Sequence, residues 1–197
     1  NESIFEYGDI STCSFHATKI FHTGEGGAMF TRHKDLYDIM FYHHNFGHDG
    51  PEAFHGLGIN AKMSELQAAM GLAVFPYFDK ILYRRRYLYD RYIEHLVGNN
   101  NLSFQQIKKH VEYNYAYMPI VFKTETQLHD VAKALREEDV FPRRYFYPAL
   151  NTIEYLSGQY MPIAEDISKR ILCLPLYFDL TEDDVDNICE IINITIG

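Results

Sequence analysis

Between Pro76 and Gly98 the chain carries one helical stripe, with Phe78, Ile81, Leu82, Arg85, Tyr89, Tyr92 and Leu96 recurring at three- and four-residue spacing. Pro76 stands where a first helical turn tolerates a missing N–H, and Gly98 stands where such a helix stops. Upstream, Ser11 to Phe15 alternates polar and apolar residues as a short strand, and Ala28 to Thr31 resumes as a second one, so a hairpin-like unit is expected with Lys19 in its loop. Lys34 to His44 has Leu36, Ile39 and Met40 at helical spacing, and the stretch from Asn45 to Pro51 breaks it as a loop. Ser64 followed by Gln67 predicts a capping box that opens a helix at Glu65.

Downstream of the stripe, Tyr115 to Phe122 is rich in aromatic and β-branched residues, and Pro119 within it predicts an edge strand. Thr124 with Gln127 repeats the capping pattern before a helix whose inward face is Leu128, Val131, Ala132 and Leu135. Val140 to Tyr147 reads as extended and Ala164 to Ile171 as helical. Thr181 caps a last helix bearing Val185, Ile188, Cys189 and Ile192, with Glu182, Asp183 and Asp184 placed to complement the helix dipole. This part is therefore mixed α and β.

Composition limits what such a chain can do. Of 197 residues 47% are hydrophobic and 23% charged, the balance of a protein that buries an ordinary core. No apolar run approaches the roughly 20 residues of a membrane helix, and the first residues lack the basic and apolar regions of a secretory signal, so a cytoplasmic protein without membrane contact is expected. A net charge of -9 argues against a nucleic-acid partner, whose phosphates need clustered Lys and Arg. Cys13, Cys173 and Cys189 are odd in number and widely spaced, which predicts reduced packing thiols. Of the ten histidines, adjacent His43 and His44 would point to different sides of a helix, and no metal site is expected.

Lys19 lies among Ile10, Cys13, Phe15, Ile20 and Phe21, with the small hydroxylated residues Ser11, Thr12, Ser14, Thr18 and Thr23 close in sequence. A lysine that forms a Schiff base needs surroundings that favour its neutral amine, and this setting predicts one, with hydroxyls able to hold a phosphate. A solvated surface lysine is the alternative the residues alone leave open. Ser14 reads equally as a strand hydroxyl paired to backbone, and Asn60 as a turn residue. Gly24, Gly26 and Gly27 read as an architectural turn, and Glu25 receives no chemical role. The segment Pro142 to Pro148 joins Arg143 and Arg144 to Tyr145, Phe146 and Tyr147, a pairing of forked guanidinium groups with stacking rings that suits a base or sugar and its diphosphate, while each arginine taken singly reads equally as part of a solvated strand face over packed aromatics.

Three blocks, Ser14 to Lys19, Thr23 to Ala28 and Gly58 to Gly71, together resemble the DegT/StrS-type sugar aminotransferases. The resemblance implies an α/β, aspartate-aminotransferase-like fold (fold type I of the pyridoxal-phosphate enzymes), with residues 1–98 as the C-terminal part of the cofactor-binding large domain plus its connecting helix and 99–197 as a small C-terminal α+β domain. It covers this chain but only the C-terminal half of such enzymes. With Asn1 in place of an initiator methionine, the chain reads as a fragment. The other half would bring the acidic partner of the pyridine nitrogen and the ring-stacking aromatic. By the same resemblance Lys19 is the Schiff-base lysine and proton shuttle, Ser14 holds the phosphate of pyridoxal 5'-phosphate, and Asn60 reaches it across a homodimer interface. A histidine in place of Lys19 accompanies dehydration in some relatives, so a dehydratase or isomerase is the rival, and a non-catalytic dimerising fragment a second.

Arg143, Arg144 and Tyr147 match the substrate-facing segment of that family, in the version resembling enzymes that act on dTDP-4-keto-6-deoxyglucose. The histidine that many relatives carry is Phe146 here. The implied reaction moves an amino group from glutamate to a keto carbon of a nucleotide-linked, dTDP-type deoxysugar, for polysaccharide or related glycan biosynthesis.

Overall fold

Ser64, Thr124 and Thr181 each accept a hydrogen bond from the backbone N–H three residues ahead, and the side chains of Gln67, Gln127 and Asp184 return it to the cap's own N–H. Each box satisfies two donors that a helix start leaves open. They set the beginnings of α2 (Glu65–Val74), α4 (Glu125–Glu137) and α6 (Glu182–Ile196). The structure is a computed structural model that describes residues 3–156 and 158–197.

The remaining elements are β1 (Ser11–Ser14), β2 (Gly27–Phe30), α1 (Lys34–His43), α3 (Phe78–Leu96), β3 (Leu102–Phe104), β4 (Met118–Phe122), α5 (Pro162–Arg170) and β5 (Ile171–Leu174). Packing divides the chain after Asp79, into a unit that ends there and a unit running from Lys80 to Gly197. The sequence reading puts the boundary near residue 98 instead. The physical reason for the difference is that α3 spends Leu88, Tyr89, Tyr92 and Leu96 in the core of the second unit, so nearly all of that helix packs with the strands and helices C-terminal to it.

In the first unit β1 and β2 pair antiparallel, from Ser11 opposite Phe30 to Ser14 opposite Gly27, as the hairpin-like reading requires. Helix α1 is present, but Ile39 is exposed rather than inward. Few side chains here are buried, and large apolar residues such as Leu57, Leu66 and Leu72 face solvent.

The second unit has an antiparallel sheet of order β3-β4-β5, covered by α3, α4 and α6. Met118, Ile120 and Phe122 on β4 are fully buried, as are Val131 and Leu135 on α4 and Val185 and Ile192 on α6. Burying each such side chain contributes about 1.5–3 kcal/mol. Polar clips supplement this core. Arg91 forks onto the Asp186 carboxylate at 2.6 and 2.5 Å, Arg84 reaches Glu182 at 2.6 Å, and the buried Tyr92 hydroxyl donates to the Pro175 carbonyl at 3.0 Å. Arg85 donates to the carbonyls of Tyr115, Ala116 and Leu176, so its charge is spread over three backbone acceptors in a half-buried setting.

Two strand expectations are corrected. Pro119 lies in the central strand β4, not on an edge. It sits opposite Cys173, whose own N–H and C=O both bond to Arg143 on the far side, which makes Pro119/Cys173 a non-hydrogen-bonded pair. The position where a proline lacks a donor therefore faces the β3 side, and β3 ends opposite Ile120, so no ladder bond is lost. The helix expected over 164–171 begins earlier, at Pro162, and gives way at Ile171 to the strand β5. The stretch expected to be extended over 140–147 makes a single bridge, Arg143 to Cys173, before a turn at Tyr145 and Phe146. Helix α3 stops at Leu96, two residues before Gly98, with ordinary backbone at that glycine.

Candidate active site

Lys19 sits in the loop between β1 and β2, and a small set of bonds fixes that loop. Phe15 N–H donates to the Gly26 carbonyl at 2.8 Å and Thr23 N–H to the Phe15 carbonyl at 2.9 Å, closing the loop on itself. Within it Lys19 N–H donates to the His16 carbonyl at 2.9 Å. The His16 Nδ1 accepts from Thr18 N–H at 3.2 Å, which leaves the ring proton on Nε2, 3.5 Å from Glu25. Ser14 Oγ accepts from His16 N–H at 3.3 Å. His16 thus ties Ser14 to the turn carrying Lys19, a role whose only sequence signal is its place three residues before the lysine.

The glycine-rich return of the loop is packed tightly. Buried Thr23 donates through its hydroxyl to the Glu25 carbonyl at 2.7 Å, and a Cβ on Gly26 would lie 2.3 Å from that hydroxyl and 3.0 Å from Met63 Cε. A Cβ on Gly27 would meet the Cys13 carbonyl at 2.8 Å. Gly24 has a left-handed φ of 77°. These glycines are architectural, as expected. Phe21 underpins the loop, edge-on to Phe15, Phe75 and Phe78 at 5.2, 6.1 and 6.3 Å.

The apolar neighbours of Lys19 do not enclose its amine in this chain: Lys19 is exposed, as are Ser14 and Asn60. Phe15 and Phe21 are spent on each other and on the start of α3, and Ile10 is itself exposed. Asn60 lies in the segment leading to α2, bridged by its backbone to Asn45, and its side-chain carbonyl accepts from Lys62 Nζ at 2.7 Å. That segment and the Lys19 loop approach each other where Met63 nears Gly26.

The donor set suits a phosphorylated aldehyde. Ser14 offers a hydroxyl, Asn60 an amide and Lys19 a primary amine, while the Thr18 hydroxyl is taken up by His16 Nδ1 at 2.9 Å and the one carboxylate of the loop, Glu25, is turned to His16. Among the described contacts of the loop, no carboxylate competes with a phosphate for these donors.

In the second unit Arg143, Arg144 and Tyr147 take different positions. The Arg144 guanidinium is bonded to the Glu125 carboxylate and to the Lys169 carbonyl at 2.9 Å, and its central carbon lies over the Tyr147 ring, 3.6 Å from the centroid. The bond to Arg144 holds Glu125 below the usual carboxylate range. The Arg144 Nε is buried without a hydrogen-bond partner. Arg144 is therefore largely committed within the protein and fixes Tyr147, whereas the sequence reading assigns it to substrate. Arg143 is exposed, its guanidinium 5.8 Å from the Tyr145 ring, and Tyr145 stacks on Phe146 at 4.0 Å. Tyr147 and Phe146 present exposed faces.

A lysine on a closed turn between two strands, followed by a glycine-packed return and a separate α+β unit, is the C-terminal layout of a fold type I pyridoxal-phosphate enzyme. The pattern of the DegT/DnrJ/EryC1/StrS aminotransferase family matches residues 1–193, and the chain belongs to that family. It is 32% identical over 196 residues to the dTDP-4-amino-4,6-dideoxy-D-glucose transaminase of Shigella dysenteriae, covering 96% of this chain and 53% of the relative. Identity to the GDP-perosamine synthase of Escherichia coli O157:H7 is also 32%, over 95% of this chain and 52% of that protein. Among solved structures, DesI in the presence of its TDP-sugar product superposes with a TM-score of 0.84 at 32% identity, over 95% of this chain and 49% of DesI. The chain spans about half the length of the relatives it matches. Members of the family work with pyridoxal 5'-phosphate. No described helix is long and apolar enough to cross a membrane.

Proposed function

We propose that this chain carries the lysine-bearing part of the active site of an aminotransferase, one that moves an amino group from glutamate to a keto carbon of a dTDP-linked deoxysugar. The observation that carries the reading is the closed turn at Lys19, whose backbone N–H is tied through His16 to the hydroxyl of Ser14, so that one short loop carries both the primary amine and the hydroxyl. Pyridoxal phosphate supplies the electron sink that makes the amino-acid carbon acidic. Lys19 would serve as base and acid in turn, its Nζ taking a proton from that carbon and giving it up again as the ammonium. Ser14 and Asn60 hold phosphate through neutral donors. Arg143 and the face of Tyr147 bind the sugar nucleotide, with Arg144 behind Tyr147 keeping its ring in place.

The functional unit in this reading is a homodimer with shared sites. Leu57, Ile59 and Leu66, close to Asn60 in sequence, are exposed, and large apolar side chains left open to solvent near a proposed phosphate ligand support a site completed by contact with a second chain. The dTDP assignment is supported by the Shigella relative and the TDP-sugar product of DesI, against the GDP-perosamine relative of equal identity.

Borohydride reduction of the loaded protein is expected to fix the cofactor's mass on the peptide containing Lys19, and Lys19→Ala to abolish it. With glutamate and a dTDP-4-keto-6-deoxy sugar, 2-oxoglutarate and an amino sugar should appear together. Loss of water from the sugar without 2-oxoglutarate would establish the dehydratase instead, and preferential turnover of the GDP sugar would move the nucleotide.

A further inference from the structure

We infer that Lys62 is a positioning residue for the phosphate site, acting through Asn60 and resting on the assignment of Asn60 to phosphate made above. An amide side chain is ambiguous by itself, since half a turn exchanges a carbonyl acceptor for an N–H2 donor. An ammonium group can only donate. With Lys62 Nζ 2.7 Å from Asn60 Oδ1, the carbonyl is fixed on the lysine, and the N–H2 is the end left for an anion. The lysine is itself seated: its ammonium lies 4.1 Å from the centroid of the Phe46 ring, within cation–π range. Phe46 is held in turn by its N–H on the Ile59 carbonyl at 3.0 Å, and the backbones of Asn45 and Asn60 bridge. The order Phe46, Lys62, Asn60 thus orients one amide and puts a positive charge next to it, where a doubly charged phosphate gains most.

The readout is the ratio of affinities for pyridoxal 5'-phosphate and for pyridoxal, titrated by absorbance on cofactor-free wild-type protein and variants, because only the former carries the phosphate. Lys62→Met is expected to lower that ratio about tenfold to a hundredfold, the range of one charge-assisted hydrogen bond. Lys62→Arg should restore most of it, since it keeps a donor and a charge; if Lys62→Met fails to fold, Lys62→Gln, which keeps a donor without the charge, takes its place and should fall between the two. Ser14→Ala and Asn60→Ala test the underlying assignment separately. If they lower the ratio and the Lys62 variants leave it unchanged, or lower both affinities equally, the role given to Lys62 is overturned while the phosphate site stands. If wild type binds both compounds alike, or neither Ser14→Ala nor Asn60→Ala moves the ratio, the site and the inference fall together.

Discussion

The hydroxyl of Thr23 and the α-carbon of Gly26 are packed so closely that a β-carbon added to the glycine would stand 2.3 Å from the oxygen, well inside van der Waals contact. The same hydroxyl is buried and bonded to the Glu25 carbonyl, so it cannot swing away without giving up that bond. Gly26→Ala is therefore expected to destabilise the protein by about 1–3 kcal/mol, the usual cost of overpacking. It should also reduce borohydride trapping at Lys19, since Gly26 closes the lysine loop onto Phe15. Thr23→Val keeps the shape and removes one bond, at about 1 kcal/mol. Urea denaturation of both variants gives the comparison, and equal stability of Gly26→Ala and wild type would show that the loop repacks freely.

Burial pushes the Cys173 thiol up to about 11 and the Cys189 thiol up to about 12, because neither can place a thiolate in its apolar surroundings. Cys13 is only half-buried. At neutral pH a thiol-specific chromogenic reagent should modify Cys13 alone in the folded protein and all three cysteines after denaturation. Rapid labelling of Cys189 under native conditions would mean that α6 opens far more readily than its buried face allows.

The pins between α3 and α6 should make stability depend on acid. Hydrogen bonding from Arg91 holds the Asp186 carboxyl below its ordinary range, and Arg84 does the same for Glu182. A carboxyl whose folded-state value is depressed contributes fully above its unfolded value and loses that contribution as pH falls through the folded one. Stability is thus expected to be flat near neutrality and to fall below the usual carboxylate range. Asp186→Asn should flatten that acid slope in a pH series of denaturant melts, and an unchanged slope would show the pair to be solvated and idle.

How far each element is legible in the sequence depends on the range of the forces that form it. Capping at Ser64, Thr124 and Thr181 is local chemistry within four residues, and all three caps stand where the pattern puts them, the third completed as a box by Asp184, for which the sequence reading gives only a dipole role. The inward face of α4 is likewise set by period alone. Strand β5 has no such signature. It follows α5 without a turn residue, and Ile171 to Leu174 is a short apolar run buried on both faces, which carries no alternation to read. Pro119 misleads because its tolerance depends on where β3 ends, a fact of pairing between distant segments. The exposure of Lys19 has the same origin, since Phe21 next to it in sequence packs against Phe78 at the start of α3 and Phe15 packs against Phe21. His16 acts through bonds to Ser14, Thr18 and Lys19, and Lys62 through one bond to Asn60, contacts that the residue types by themselves do not announce.

Tyr92 tests how much of the second unit rests on one side chain. It is fully buried, and its hydroxyl reaches the Pro175 carbonyl just beyond β5. Tyr92→Phe keeps the ring and leaves that carbonyl without its donor, at about 1 kcal/mol, while Tyr92→Ala also opens a cavity and is expected to cost about 3–5 kcal/mol. The difference between the two variants in a thermal melt separates packing from the bond, and near-equal values would assign the residue's contribution to the hydroxyl.

The arrangement of Glu125, Arg144 and Tyr147 predicts a division of labour in substrate binding. Arg144 lies over the Tyr147 ring and is anchored by the Glu125 carboxylate, so Glu125 acts on the ring at one remove. Glu125→Gln keeps a hydrogen-bond acceptor but removes the charge, and Arg144→Lys keeps the charge but loses the planar group that covers the ring. If the chain serves a nucleotide-sugar aminotransferase as proposed, both are expected to raise KM for the nucleotide sugar several-fold with little change in kcat, Arg144→Lys the more, because in that reading the ring positions substrate without touching the transferred amine. Arg143→Met, by contrast, removes the exposed guanidinium that the proposed function assigns to the diphosphate and should raise KM by about tenfold, the worth of one charge-assisted hydrogen bond. KM for glutamate should stay constant in all three. A fall in kcat for Glu125→Gln with KM unchanged would place this carboxylate in the proton transfers themselves, and a loss of folded protein in Arg144→Lys would assign the guanidinium to holding α4 against the Lys169 carbonyl rather than to the ring.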